Sequence, residues 1–239
     1  MEFDVLDINC ILGKQMDPFA IKSPGELLSI MDSRGIDEAF VSAPAHVIGV
    51  PNTGESKRLY PVFNAIPHYT GECSPPVLME ACHAVRVFPV FHRVKLHLWL
   101  WKELLDVLCE HRLPIMVDFS NSGWQDDFDY DSIHQICETY PDIPVIIMRA
   151  SASCDRYLYK LWDMHMNLYI DTSFYQPNHG LHAVTSRFSA RVLLFGSGLP
   201  RVEPDSPLNA VLHSGLSEED MALILSGNAK RIIKESIPW

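Results

Sequence analysis

Leu194-Phe195-Gly196-Ser197-Gly198-Leu199-Pro200 is the stretch that decides the fold. It completes an apolar run at 192–195 that is typical of a buried strand. The run stops abruptly at a Gly-Ser-Gly-Leu-Pro turn, because glycine and proline interrupt regular structure. The stretch therefore predicts a short buried strand with a sharply defined end.

Seven other apolar runs precede this strand, and helical patterns separate most of them. The predicted strands are 3–9, 39–43, 61–66, 84–88, 114–119, 145–150, 168–172 and 192–195. The predicted helices between them include 24–34, 54–60, 75–81, 98–112, 131–139, 154–165 and 181–188. Eight strands alternating with helices favour a closed parallel (β/α)8 TIM barrel over an open sheet. Since no linker or repeat interrupts the pattern, we expect one α/β domain over residues 1–239.

Two of the helices carry clear local signals. Ser23 is a suitable N-cap for a helix that has Pro24 in its first turn, and Glu26 completes a capping box. Gly35 follows the same helix where a left-handed residue is needed. The helix at 98–112 places its apolar residues at helical spacing, which predicts a core-facing stripe. Those residues are Trp101, Leu104, Leu105 and Leu108.

Composition and charge exclude several classes of function. Hydrophobic residues make up 47% and charged residues 21% of the 239 residues, as in ordinary globular proteins. A net charge of −11 disfavours nucleic acids and anionic membranes as partners. We expect no signal peptide and no membrane-spanning segment, and the six cysteines form no Cys-x-x-Cys pair. We therefore expect a cytoplasmic protein with reduced thiols, and assembly into homo-oligomers stays open.

The strand ends resemble those of the amidohydrolase superfamily, a group of metal-dependent TIM-barrel hydrolases. The segment 7–13, Asp-Ile-Asn-Cys-Ile-Leu-Gly, is similar to the opening Asp-x-His-x-His-x-Gly of that family. The Phe-Gly-Ser-Gly-Leu-Pro segment is similar to its last strand, Phe-Gly-Ser/Thr-Asp-x-Pro. Further matching segments are 34–39, 85–89, 113–118, 143–149, 169–173 and 227–231. The resemblance implies the same barrel fold.

The positions that would bind metal in this family are all changed. The two first-strand histidines are replaced by Asn9 and Ile11, and those of the fifth and sixth strands by Asp118 and Arg149. Gly198 stands where the family has its acid–base aspartate. A zinc ion requires histidine, cysteine or carboxylate ligands, and a guanidinium group would repel it. We therefore predict no metal and no cofactor.

The remaining strand-end residues form the candidate site, since TIM barrels place their sites at the carboxyl ends of the strands. Asp118 and Arg149 end neighbouring strands, so their side chains should lie within reach of each other. They form either a structural ion pair or a site for an acidic ligand. Arg86 is a second candidate anion-binding residue or a structural ion-pair partner. Asp171 and Asn9 are further candidate binding residues, although alternation could turn Asp171 outward or into a hydrogen bond with a backbone amide.

Two histidines follow strands and could face the same region. His68 lies after the third strand and is a candidate binding residue, whereas His92 lies in the predicted loop after the fourth strand. His92 and Asp118 are the candidate general bases. A structural role is the alternative for both histidines. No Gly-x-Ser-x-Gly or nucleotide-binding motif is present.

Two functions follow from this pattern. In the first, the protein has lost metal-dependent hydrolysis and binds a small acidic molecule or a partner. In the second, it is a metal-independent hydrolase or lyase, similar to lactonases and decarboxylases of the superfamily, that acts on a small carboxylate. Fold alone does not separate the two.

Overall fold

The computed structural model describes residues 3–14, 18–67, 81–119 and 128–237. Within these ranges, eight strands form one sheet in which every neighbouring pair is parallel and strand order follows chain order. The strands are β1 (Leu6–Ile11), β2 (Glu38–Ser42), β3 (Leu59–Ala65), β4 (Ala84–Val87), β5 (Ile115–Asp118), β6 (Val145–Met148), β7 (Leu168–Asp171) and β8 (Leu193–Leu194). The predicted (β/α)8 architecture is confirmed.

Helices cover the outside of this sheet. Those in the described ranges are α1 (Pro24–Arg34), α2 (Pro89–His92), α3 (Leu98–His111), α4 (Tyr130–Thr139), α5 (Asp155–Met164), α6 (Gly180–Phe188), α7 (Asp205–Leu212), α8 (Glu218–Ala222) and α9 (Asn228–Glu235). A π-helical turn, Leu223–Gly227, joins α8 to α9. None of the helices in these ranges is both long enough and apolar enough to span a bilayer.

The stretch after β8 closes the barrel. The backbone N–H of Ile8 donates to the carbonyl of Phe195 at 2.9 Å, and that of Ile11 donates to Leu199 at 3.0 Å. Strand β8 has only two residues, and Phe195 donates its own N–H to Ile224 in the π-helical turn at 2.9 Å. The segment 195–199, where the sequence predicts the abrupt end of the last strand, therefore binds the first strand.

The core has two layers because successive residues of a strand face opposite sides of the sheet. An inner cluster fills the barrel and an outer cluster packs between the strands and the helices. The inner cluster includes Leu6, Ile8, Phe40, Val62, Met116, Ile146 and Leu194. In α3 the predicted stripe is buried and belongs to the outer cluster.

The local helix signals are mostly confirmed. Ser23 accepts a hydrogen bond from the N–H of Glu26 at 3.2 Å, and Gly35 ends α1 in the left-handed conformation. The carboxylate of Glu26 reaches back one residue further than a capping box requires, to the N–H of Lys22 at 2.8 Å.

The predicted helix at 54–60 is wrong. Gly54 lies in a turn with φ 65°, and Leu59 and Tyr60 already belong to β3, where they pair with Ala39 and Phe40 of β2. Pairing with the neighbouring strand β2 thus overrides a weak local helical pattern. The predicted helix at 75–81 falls outside the described residues except for Ala81, which lies in a turn.

Candidate functional site

Five of the seven predicted site residues meet at the carboxyl end of the barrel. Arg86 lies on β4, Asp118 ends β5, Arg149 follows β6, Asp171 ends β7 and Asn9 lies on β1. Four of them are at most 1% exposed, and the side chain of Arg149 is 10% exposed. The sequence position of each residue at a strand end accounts for this convergence.

Asp118 is held between two guanidinium groups. Its Oδ2 atom lies 2.5 Å from Nη2 of Arg86 and 2.8 Å from Nη2 of Arg149. Burial by itself would raise the pKa of Asp118, but Arg149 and Arg86 outweigh it and hold the pKa far below its usual range. The predicted contact with Arg149 is present, and Arg86 adds a second cation to the same oxygen.

The side chain of Arg86 extends through the interior of the barrel from β4 to β2 and β1. Its Nη1 donates to Oγ of Ser42 at 3.0 Å and its Nη2 to Oδ1 of Asn9 at 2.9 Å. The ring of Phe88 lies 5.2 Å from the guanidinium carbon. Burial lowers the pKa of Arg86, and the negative charge of Asp118 opposes that shift. Arg86 therefore faces inward, as the predicted register requires.

Asp171 also faces inward, and it accepts three hydrogen bonds. The donors are Nδ2 of Asn9 at 2.8 Å, Oγ of Ser173 and the backbone N–H of Arg149. Burial raises the pKa of Asp171, although these hydrogen bonds favour its charged form. Asp171 therefore faces inward. It also binds a backbone amide, which the sequence left open as an alternative.

Arg149 connects the two carboxylates through its backbone conformation. Its φ is 58°, in the left-handed region that residues other than glycine rarely adopt. This conformation lets the backbone N–H bind Asp171 while the side chain binds Asp118. The guanidinium carbon lies 5.9 Å from the ring centre of Phe174, which is 41% exposed. Strain of this kind is frequent at functional positions.

A second buried cluster, which was not predicted as a site, joins the first and last strands. Oδ1 of Asp7 accepts from the backbone N–H groups of Asn9 at 2.8 Å and Ser197 at 2.9 Å. Sγ of Cys10 lies 3.0 Å from Oδ2 of the same carboxyl. Burial raises the pKa of Asp7, and burial followed by the charge of Asp7 raises that of the Cys10 thiol. The cluster fixes the bulge between Asp7 and Cys10 in β1.

The two histidines have different outcomes. His68 lies outside the described residues. His92 lies on α2 rather than in a loop, and its Nε2 is 2.7 Å from the carbonyl oxygen of Ala45. Its ring contacts Phe88 and Phe91. The predicted loop position is therefore wrong, because His92 belongs to α2.

The residues of the site do not fit a divalent metal ion. In the part of the chain that the structure describes, no group of three His, Cys, Asp or Glu side chains is placed to hold one. Both guanidinium groups already bind Asp118, and Arg86 binds the side-chain oxygen of Asn9. Gly198 has φ 77°, a conformation that disfavours any other residue. The positive charges and the backbone shape therefore oppose the metal site of the resembled family.

Solved structures share the fold over nearly the whole chain. A 2,6-dihydroxybenzoate decarboxylase complexed with 2,6-dihydroxybenzoate gives a TM-score of 0.75 at 13% identity, covering 97% of this chain and 99% of that one. A probable 2-pyrone-4,6-dicarboxylic acid hydrolase from Acinetobacter baumannii, with citric acid bound, gives 0.70 at 13% identity with the same coverage.

A protein described as amidohydrolase II belongs to the same set of neighbours. It gives a TM-score of 0.66 at 16% identity, covering 97% of this chain and 100% of that one. No family model matches the sequence, and no curated protein matches it significantly. The predicted resemblance to amidohydrolase-type barrels is therefore confirmed at the level of the fold.

Proposed function

We propose that this amidohydrolase-like barrel binds a small carboxylate at Arg149 and has lost metal-dependent hydrolysis. The observation that carries the proposal is the single carboxylate oxygen of Asp118 that serves two guanidinium groups. Two guanidinium groups that share one carboxylate oxygen keep unused hydrogen-bonding capacity near the barrel mouth, where a second carboxylate would be attracted.

The hydrogen-bonding capacity of the two arginines supports this proposal. The Nε atoms of Arg86 and Arg149 are buried and have no hydrogen-bond partner among the described residues. Buried donors usually find an acceptor, so these two represent unused hydrogen-bonding capacity in the site. Arg149 is the more accessible of the two, since its side chain is 10% exposed and that of Arg86 only 1%. Arg149 is therefore the anchor, and the ring of Phe174 flanks it.

The charge of Asp171 acts on Arg86, but neither Asp171 nor Asp7 accepts a hydrogen bond from the two guanidinium groups. Asp171 accepts from Asn9, Ser173 and the backbone of Arg149, whereas Asp7 accepts from backbone N–H groups and the Cys10 thiol. Two of the structural neighbours contain carboxylate compounds, 2,6-dihydroxybenzoate and citric acid. A ligand of this general class would suit Arg149.

The chemistry of the strand ends supports binding rather than turnover. A general base needs a pKa near the working pH, whereas the guanidinium groups hold that of Asp118 far below it. His92 directs Nε2 to the carbonyl of Ala45 and lies behind Phe88. Binding therefore suits these two residues better than a metal-independent hydrolase or lyase reaction does.

Calorimetric titration with 2,6-dihydroxybenzoate and with citrate tests the proposal. We expect millimolar or tighter binding of at least one compound, and a loss of about tenfold in affinity in Arg149→Gln, because a charge-assisted hydrogen bond is lost. Arg187→Gln, on the outer surface, is the matched control and should bind normally. Equal affinity in the two variants, or no binding at all, would contradict the carboxylate site. Conversion of either compound, followed by chromatography, would contradict the loss of catalysis.

A further inference from the structure

A pocket of about 280 Å³ lies outside the barrel wall near the ends of β4 and β5. It is lined by Pro89 and Val90 of α2, the segment from Arg93 to Leu96, Phe119 and Asp129. Most of its lining is apolar, and two of the lining side chains are cationic. Its volume is just below the range of about 300–1,000 Å³ that is typical of small-molecule sites.

This pocket is separate from the cluster around Asp118. Because side chains alternate along a strand, Asp118 points into the barrel and Phe119 points out. Phe119 belongs to the outer core cluster, together with Val87 and Val117. The pocket and the strand-end site therefore share the β4–β5 wall but lie on its opposite sides.

Charge at the rim of the pocket is mainly positive. The side chains of Arg93 and Lys95 are exposed, and neither forms an ion pair with any described residue. Asp129 is the one acidic residue in the lining, and it caps α4 by accepting from the backbone N–H of Ser132 at 3.1 Å and its Oγ at 2.8 Å. The two cations thus remain available beside an apolar surface.

We propose that this pocket binds a small monocarboxylate with a compact apolar body. The apolar body would contact Val90, Val94 and Phe119, and the carboxylate would bind Arg93 and Lys95. The volume of about 280 Å³ accommodates a body about the size of one substituted aromatic ring. An uncharged ligand would leave the cations unused.

Photoaffinity labelling with 4-[3-(trifluoromethyl)diazirin-3-yl]benzoate tests the site, because mapping the labelled peptide distinguishes it from the strand-end cluster. We expect the label within residues 89–96 or on Phe119, and competition by 3-phenylpropionate but not by its amide. Arg93→Asn combined with Lys95→Gln should reduce labelling about tenfold, as expected for a lost charge-assisted contact. Asparagine suits position 93, where φ is 55°.

Three further variants make the result decisive. Arg156→Gln combined with Lys160→Gln removes the same charge from the exposed face of α5 and should label normally. Arg149→Gln removes the proposed strand-end anchor and should also leave labelling of this pocket unchanged. Filling the pocket with Val94→Trp should abolish labelling while the thermal midpoint stays near that of the wild type. Labelling that depends on Arg149 alone, competition by the amide, or no label in the pocket would each overturn the proposal.

Discussion

Gly196 lies against the carboxyl group of Asp171. A β-carbon at position 196 would lie 2.6 Å from Oδ2 of Asp171 and 3.0 Å from the β-carbon of Asn9. The contact explains why position 196 is a glycine. A larger residue would displace a carboxylate that binds Asn9, Ser173 and the backbone of Arg149.

Gly196→Ala should therefore destabilise the protein by about 1–3 kcal/mol, the usual cost of overpacking a buried position. Chemical denaturation in urea measures the change. Gly25→Ala is the matched control, since a β-carbon there meets nothing within 4 Å and the residue lies in α1, where alanine is favoured. A stability of Gly196→Ala equal to that of the wild type would contradict the close contact.

Asp118→Asn should be among the most destabilising single substitutions in the barrel. It removes the carboxylate that the buried guanidinium groups of Arg86 and Arg149 share, and breaking a buried ion pair costs about 3–5 kcal/mol. Asp163→Asn removes the partner of Arg187 at the surface and should cost about 0–1 kcal/mol. Urea denaturation of the two variants gives the comparison, and similar losses in both would show that the buried pairs contribute little.

Stability should fall as the pH drops below about 6.5, and part of this loss should depend on His165. Its Nε2 lies 2.7 Å from Nδ1 of His134, so one ring nitrogen must donate and the other accept. Burial, followed by the charge of His134, lowers the pKa of His165, while Glu138 opposes the shift. The folded protein thus binds this proton more weakly than the unfolded chain does. The stabilising contribution is complete above the ordinary pKa of 6.5 and is lost as the pH falls.

Thermal midpoints at pH 7.5 and pH 5.5 measure this dependence. His165→Gln should reduce the difference between the two midpoints, whereas His182→Gln, an exposed position on α6, should leave it unchanged. The difference between the two pH values is the readout, because the loss of the hydrogen bond itself lowers both midpoints. An unchanged difference in His165→Gln would mean that His165 is protonated equally in the folded and unfolded states.

The sequence predicted the barrel and the meeting of Asp118 with Arg149 because both depend on strand order. Residues that end neighbouring parallel strands must be neighbours, whatever the details of packing. Contacts between strands that are not neighbours were harder to predict from the sequence. Asn9 binds Asp171 and Arg86 binds Ser42, and each pair depends on how far the strands are staggered around the closed sheet. No local pattern in the sequence specifies that stagger.

Other differences arise where long-range packing overrides local preference. The segment at 54–60 has a weak helical pattern, but pairing with β2 places Leu59 and Tyr60 in a strand. His92 follows β4 as predicted, yet the short helix α2 turns its ring toward Ala45 and Phe88. Asp7 was visible only as part of a family motif. Its hydrogen bond to Ser197 joins residues at opposite ends of the chain, which spacing alone cannot reveal.

Restoring the aspartate of the resembled family at position 198 should not restore a metal site. Gly198 has φ 77°, and a β-carbon there would lie 3.1–3.2 Å from side-chain atoms of Val202 and Ser173. Gly198→Asp should therefore destabilise the protein by about 2–4 kcal/mol, from left-handed strain and crowding together. Gly215→Asp is the matched control, since its φ is 75° and nothing lies within 4 Å of its β-carbon. It should show the strain alone, about 1–2 kcal/mol.

The same Gly198→Asp protein, dialysed against zinc and analysed by elemental mass spectrometry, should bind no more of the metal than Gly215→Asp does. The reason is that the guanidinium groups of Arg86 and Arg149 remain on Asp118, and Ile11 supplies no ligand. Stoichiometric zinc in Gly198→Asp alone would show that one aspartate is sufficient and that the arginines move aside. Equal stability of the two glycine variants would show that Val202 and Ser173 leave room for a side chain, so that strain alone keeps glycine at position 198.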